Sequence, residues 1–94
     1  QICIIPETNQ LNNESFLTEA NQVLNNIDTI LQEAGSSIAN IVKCNVYITD
    51  LEKFDIVNEV FKKTFKRNYP ARAVVEVSKL PKNVNIEIDV IASI

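Results

Sequence analysis

A chain without histidine lacks both the commonest general base and the commonest zinc ligand. Its chemistry must use carboxylates, Arg, Lys, Tyr, backbone groups or water. Two such residues, Arg72 and Glu87, stand in the run Pro70 to Ala92, PARAVVEVSKLPKNVNIEIDVIA. A guanidinium is a planar fork that can take a carboxylate through two parallel hydrogen bonds. A glutamate can orient water or handle a proton once burial and neighbours set its pKa. Polar side chains on a sheet face turned away from the core are more often simply solvated, so the placement of these two matters. The run holds two stretches with period-two alternation on either side of Lys79-Leu80-Pro81-Lys82-Asn83, the pattern of an antiparallel pair joined by a turn. Ala73, Val75 and Val77 then share the core face with Val84, Ile86, Ile88, Val90 and Ala92. That parity predicts Arg72 and Glu87 together on the opposite face, with Val74, Glu76 and Ile91.

The same run resembles the C-terminal signature of the YjgF/YER057c/UK114 family, also called the Rid family. The matching pieces are Pro70-Ala71-Arg72, Val75-Glu76-Val77, Leu80-Pro81-Lys82, Glu87-Ile88 and Ile91-Ala92, with their spacing kept throughout. Val57-Asn58 followed by Phe61 and Phe65 is similar to the family's V-N-x-x-Y/F-x-x-x-F helix. Asn26-Ile27 to Ala34-Gly35 fits its helix ending in Ala-Gly, and Gln1-Ile2 fits the Gln-Ile of its GQIP region. The resemblance implies an α+β, chorismate-mutase-like fold: a mixed sheet with two helices on one face, built as a homotrimer with a small-ligand site at each subunit interface. It implies hydrolytic deamination of reactive enamines or imines to 2-oxo acids and ammonia. In that scheme Arg72 clamps the substrate carboxylate and Glu87 activates water or handles its proton, while Asn58, Gln1 and the Val74 backbone line the substrate. No metal or organic cofactor is implied. Many deaminase members carry Cys where this chain has Val74, so any role for that thiol is absent here. The resemblance further implies one Rid-like domain over residues 1–94, with the family's N-terminal strand segment and a substrate-facing Tyr lying before Gln1. Two other readings stay open: a single-strand endoribonuclease that inhibits translation, the L-PSP type, and a non-catalytic trimer in which Arg72 only holds a carboxylate.

Composition narrows the classes. Ninety-four residues, 46% of them apolar and 22% charged, make one ordinary small globular domain, of a size where association often supplies part of the stability. A net charge of −3 and a pI near 4.8 argue against a nonspecific polyanion binder and lend nothing to the ribonuclease reading. No run approaches the length needed to span a bilayer. Cys3 and Cys44 have neither metal nor redox spacing and read as buried thiols in a reducing compartment, which fits a cytoplasmic protein.

The elements that must position the pair follow from periodicity. Gln1 to Ile5 reads as the end of a strand, stopped by Pro6 and a turn. Ser15 or Asn13 caps a helix to about Ala34, whose apolar stripe is Ala20, Val23, Leu24, Ile27, Leu31 and Ala34, with Asn26 among its polar faces and Gly35 as its stop. Ile41 to Thr49 alternates, with Val42, Cys44, Val46 and Ile48 inward. Asp50 caps a second helix striped by Phe54, Val57, Phe61 and Phe65 and ending near Lys66. Lys62, Lys63, Lys66 and Arg67 crowd its last turns, where cations favour the helix dipole. Asn58 falls within that stripe, where an amide must find a partner. On the sheet face without helices, Val74, Ile91 and Tyr47 make a mixed surface awkward to leave bare.

Overall fold

The computed structural model describes residues 1–66 and 69–94 of the chain, so Arg67 of the basic cluster lies outside the described residues. The order of elements is α1 (Phe16–Glu33), β1 (Ile41–Ile48), α2 (Phe54–Thr64), β2 (Ala71–Glu76) and β3 (Ile86–Ala92). Single 3-10 turns at Ile38–Asn40, Leu51–Lys53 and Pro81–Asn83 join them. The expected first strand is reduced to an antiparallel bridge between Ile4 and Leu11. The sheet order is β2-β1-β3, with β1 parallel to β2 and antiparallel to β3. This is an α+β layer fold in which α2 makes the crossover that a parallel pair requires.

The ends of α1 and the turn that leads into α2 fall at capping residues, although Asp50 caps that turn and not α2 itself. Ser15 caps α1, its hydroxyl accepting from the Thr18 N–H at 3.1 Å. At the other end Gly35 has φ +81°, a conformation costly for a residue with a Cβ, and the Ser36 N–H returns to the Leu31 carbonyl at 2.8 Å. Asp50 caps the 3-10 turn before α2, accepting from the Glu52 N–H at 3.0 Å.

One core lies between helices and sheet. Val23, Leu24 and Ile27 of α1 and Val57, Val60 and Phe61 of α2 close over Cys44, Val46 and Ile48 of β1 and Ile86 and Ile88 of β3. Among the described residues two polar side chains are buried with them. Glu19 accepts from both the backbone N–H (3.0 Å) and the side-chain amide (2.6 Å) of Asn85, tying α1 to the chain just before β3. Asn26, expected on a polar face, is buried and donates to the carbonyls of Ile2 and Ile4 at 3.2 and 2.7 Å, so it anchors the first segment onto α1.

Two further expectations about the strands fail, one in topology and one in register. The stretches on either side of Pro81 do not pair with each other, because β1 inserts between them. In β1 a bulge falls between Ile41 and Lys43, so Ile41 takes the core position and Val42 is 55% exposed.

Candidate functional site

Residues paired across a sheet share a face, so register decides where each candidate points. Cys44 pairs with Arg72 on one side and Val90 on the other. Cys44 is fully buried under the helices, and Arg72 and Val74 therefore belong to the helix-covered face, not the open one. Tyr47 pairs with Val75 and with Glu87. Glu87 thus belongs to the open face with Lys43, Asn45, Asp89 and Ile91, and Val75 replaces Val74 there. The expectation that Arg72 and Glu87 share a face is overturned: they lie on opposite sides of one sheet.

Arg72 sits where the edge strand β2 meets the second half of α2. Its guanidinium carbon lies 5.0 Å from the Phe61 ring centroid and 5.5 Å from that of Phe54, so two aromatic rings hold the cation by their quadrupoles. Phe54 and Phe61 stand two turns apart on one helix face, which is why both reach it. A cavity of about 540 Å3 opens here, lined by Asn58, Phe61, Lys62, Tyr69, Pro70 and Arg72. Asn58 is half-buried at its wall, beside the stripe as its position in the helix requires. The Val77 N–H donates to the Ile48 carbonyl at 2.8 Å, and strand alternation then turns the backbone N–H groups of Arg72 and Val74 outward, to the free edge of β2. Directly behind the arginine, burial pushes the Cys44 thiol up to about 11 against the opposing pull of the Arg72 charge. A thiol held protonated and fully buried is no nucleophile.

The remaining candidates, Gln1 and Glu87, lie along β3 but not on one face. Gln1 exchanges backbone hydrogen bonds with Ile88, its backbone nitrogen donating to the Ile88 carbonyl at 2.7 Å and its own carbonyl accepting at 3.1 Å. That exchange pairs it with Ile88 at the outer edge of β3, so its side chain is in register with the helix-covered face, not with Glu87. On the open face the Asn45 amide and the Tyr47 hydroxyl donate to the two Asp89 oxygens at 2.9 and 3.2 Å. Partial burial first, then the Asp89 and Glu87 carboxylates, push the Tyr47 phenol up, so it stays a donor at neutral pH. Among the described residues no cluster of His, Cys, Asp or Glu could hold a metal ion. No helix among them is long and apolar enough to cross a membrane.

The candidates therefore sort into two half-sites. One half is a cation on an aromatic floor with an amide, an edge of free N–H groups and a cavity: Arg72, Asn58, Val74. The other is a carboxylate on the open sheet face, Glu87; Gln1 stands at the β3 edge but in register with the helix-covered face. The aromatic floor and the Lys62, Tyr69 and Pro70 walls were not anticipated from sequence. The repeat of Phe at Phe54 and Phe61 was visible, but nothing local said that an arginine would cross it.

Comparison with known proteins bears on the whole chain. The family model described as Endoribonuclease L-PSP matches residues 1–94. The chain is 45% identical over 92 residues to a RutC family protein of Pyrococcus abyssi, covering 98% of this chain and 72% of that one. It is 42% identical over 92 residues to the human 2-iminobutanoate/2-iminopropanoate deaminase, covering 98% and 67%. Among solved structures, RidA from an Antarctic Psychrobacter superposes with a TM-score of 0.96 at 45% identity, covering all of this chain and 76% of that one. E. coli TdcF with bound serine superposes at 0.92 with 39% identity, covering 98% and 74%. The chain belongs to the Endoribonuclease L-PSP family, the YjgF/YER057c/UK114 or Rid family of RutC and RidA proteins.

Proposed function

We propose that the protein hydrolyses small reactive enamines and imines, adding water to the C=N carbon and breaking the C–N bond to give a 2-oxo acid and ammonia. The observation that carries this is the Arg72 half-site: a guanidinium backed by two aromatic rings at the mouth of a cavity large enough for a small acid. Stacking holds the fork in one orientation while leaving its N–H groups free for a carboxylate. Asn58 at the cavity wall and the outward N–H of Val74 supply donors and acceptors to the rest of the substrate. Family membership and the named activity of the human relative support the same chemistry.

Glu87 cannot reach Arg72 through the sheet, so the reading requires a second copy of the chain. Its open face, with Glu87, meets the Arg72 cavity of the first copy, and a closed ring of three such heterologous contacts gives a homotrimer with a site at each boundary. The exposed Val75 and Ile91 on that face supply apolar surface for the contact. In the assembled site Arg72 holds the carboxylate and Glu87 orients water against the imine carbon, accepts its proton and returns one to the leaving nitrogen. The net charge and the absence of histidine give a ribonuclease no comparable set of groups.

The test is an assay with freshly generated 2-iminobutanoate, scored as ammonia release above the spontaneous rate, with light scattering on the same preparation. Catalysed release from a trimer is the expected result. A trimer that binds 2-oxobutanoate but shows only spontaneous hydrolysis would leave a carboxylate-binding module instead.

A further inference from the structure

The cavity beside Arg72 carries more positive charge and more space than a single-carboxylate substrate uses. Of the described side chains of one copy that line it, Arg72 and Lys62 are cationic and none is acidic. At about 540 Å3 it has room for well over ten waters at about 30 Å3 each, far more than a four-carbon imino acid displaces. Lys62 lies in the last turn of α2, one residue after the Phe61 ring on which Arg72 stacks. Its neighbour Lys63 shares the benefit of a helix C-terminus but does not line the cavity. The helix dipole explains a cation on this turn without explaining why one borders the cavity.

We propose that Lys62 is a specificity-determining residue that selects substrates with a second anionic group: imino acids derived from dicarboxylic amino acids, whose first carboxylate takes Arg72 and whose distal carboxylate meets the Lys62 ammonium. The inference rests on the reading of Arg72 as the carboxylate clamp. An ammonium on a flexible stem suits the distal position, since it can follow a carboxylate at varying distance where a rigid fork could not. The contact is partly exposed, so its gain is modest and screened by salt.

The experiment compares binding of two stable product-type acids, 2-oxobutanoate with one carboxylate and 2-oxoglutarate with two, by calorimetry at low and high salt. The wild-type protein is expected to bind 2-oxoglutarate about three- to tenfold more tightly, an advantage that shrinks as salt rises. Lys62→Gln is expected to bring the ratio of the two affinities close to one, and Lys62→Glu to invert it. A loss of the helix-dipole contribution alone would lower the melting temperature and leave the ratio where it was. A wild-type ratio of one or less, or a preference that survives Lys62→Gln, overturns the proposal. So does an equal fall in both affinities, the sign that Lys62 pairs with a carboxylate of the second copy. If 2-oxobutanoate fails to bind the wild-type protein at all, the Arg72 clamp itself is wrong and this inference falls with it. Wild-type binding of 2-oxobutanoate that is lost in Arg72→Gln keeps the clamp in place whatever becomes of Lys62.

Discussion

The two faces of this sheet are built from the same three strands and do opposite things. On the helix-covered face Cys44, Val46, Ile48, Ile86 and Ile88 are sealed, and the one cation, Arg72, escapes at the strand edge onto Phe54 and Phe61. On the open face Lys43, Asn45, Tyr47, Glu87 and Asp89 share the surface with exposed Val75 and Ile91. On the proposed reading, the chain carries both parts of a site and is unable to close it alone. Side chains on opposite faces of one sheet are separated by the backbone itself, and no rotamer change brings them together.

The sharpest way to break this comparison is to change chemistry on the open face while leaving its packing alone. Glu87→Gln keeps the volume and most hydrogen bonds but cannot take a proton at neutral pH. Turnover is expected to fall by roughly 10² to 10⁴, with 2-oxobutanoate affinity and melting temperature near wild type. A parallel fall in melting temperature would make Glu87 a structural residue. On the covered face, Arg72→Lys keeps the charge and loses the fork. A lost charge-assisted pair is worth about 1.5–3 kcal/mol, so ligand affinity is expected to drop roughly ten- to a hundredfold in a folded protein. Wild-type turnover in that variant would remove Arg72 from the clamp.

A smaller effect separates the faces by pH. Burial raises the Cys44 thiol from 9.0 to about 11, so the folded chain keeps a proton that the unfolded chain releases. That contribution to stability is complete below pH 9 and is lost as pH rises through 11, by about 2–3 kcal/mol. Urea titrations at rising pH are expected to show this slope in the wild type and a flatter one in Cys44→Val. An unchanged slope would mean that the alkaline loss comes from the other raised groups, the buried Cys3 thiol or the Tyr47 phenol.

What could be read from the sequence follows from range. Caps and stops act within a few residues, and Ser15, Asp50 and Gly35 all mark boundaries that the structure keeps. The stripes of α1 and α2 are local too, and Val23, Ile27, Val57 and Phe61 are buried as their spacing predicts. Strand partners are not local. The runs around Pro81 carry the pattern of a hairpin, and nothing within them reveals that β1, from far upstream, lies between. In Ala71–Glu76 the alternation is weak, with Val74 and Val75 on opposite faces, so only the pairing of Cys44 with Arg72 fixes which face is covered. The family resemblance named a set of positions to test, and the parity drawn from the assumed hairpin put two of them on one face. Asn26 was misplaced for a similar reason, since its partners are the carbonyls of Ile2 and Ile4, which no helical pattern can show.

The central claim, that Arg72 and Glu87 meet only across a boundary between copies, is tested most directly by subunit complementation. Arg72→Ala and Glu87→Gln chains, each inactive alone, are unfolded together and refolded at equal concentration, and imine hydrolysis is measured on the mixed trimers. With each site drawing its arginine from one copy and its glutamate from the next, random mixing should restore about a quarter of wild-type activity. No recovery in mixed trimers of demonstrated composition would contradict the account, because it would place both residues of a working site in the same chain.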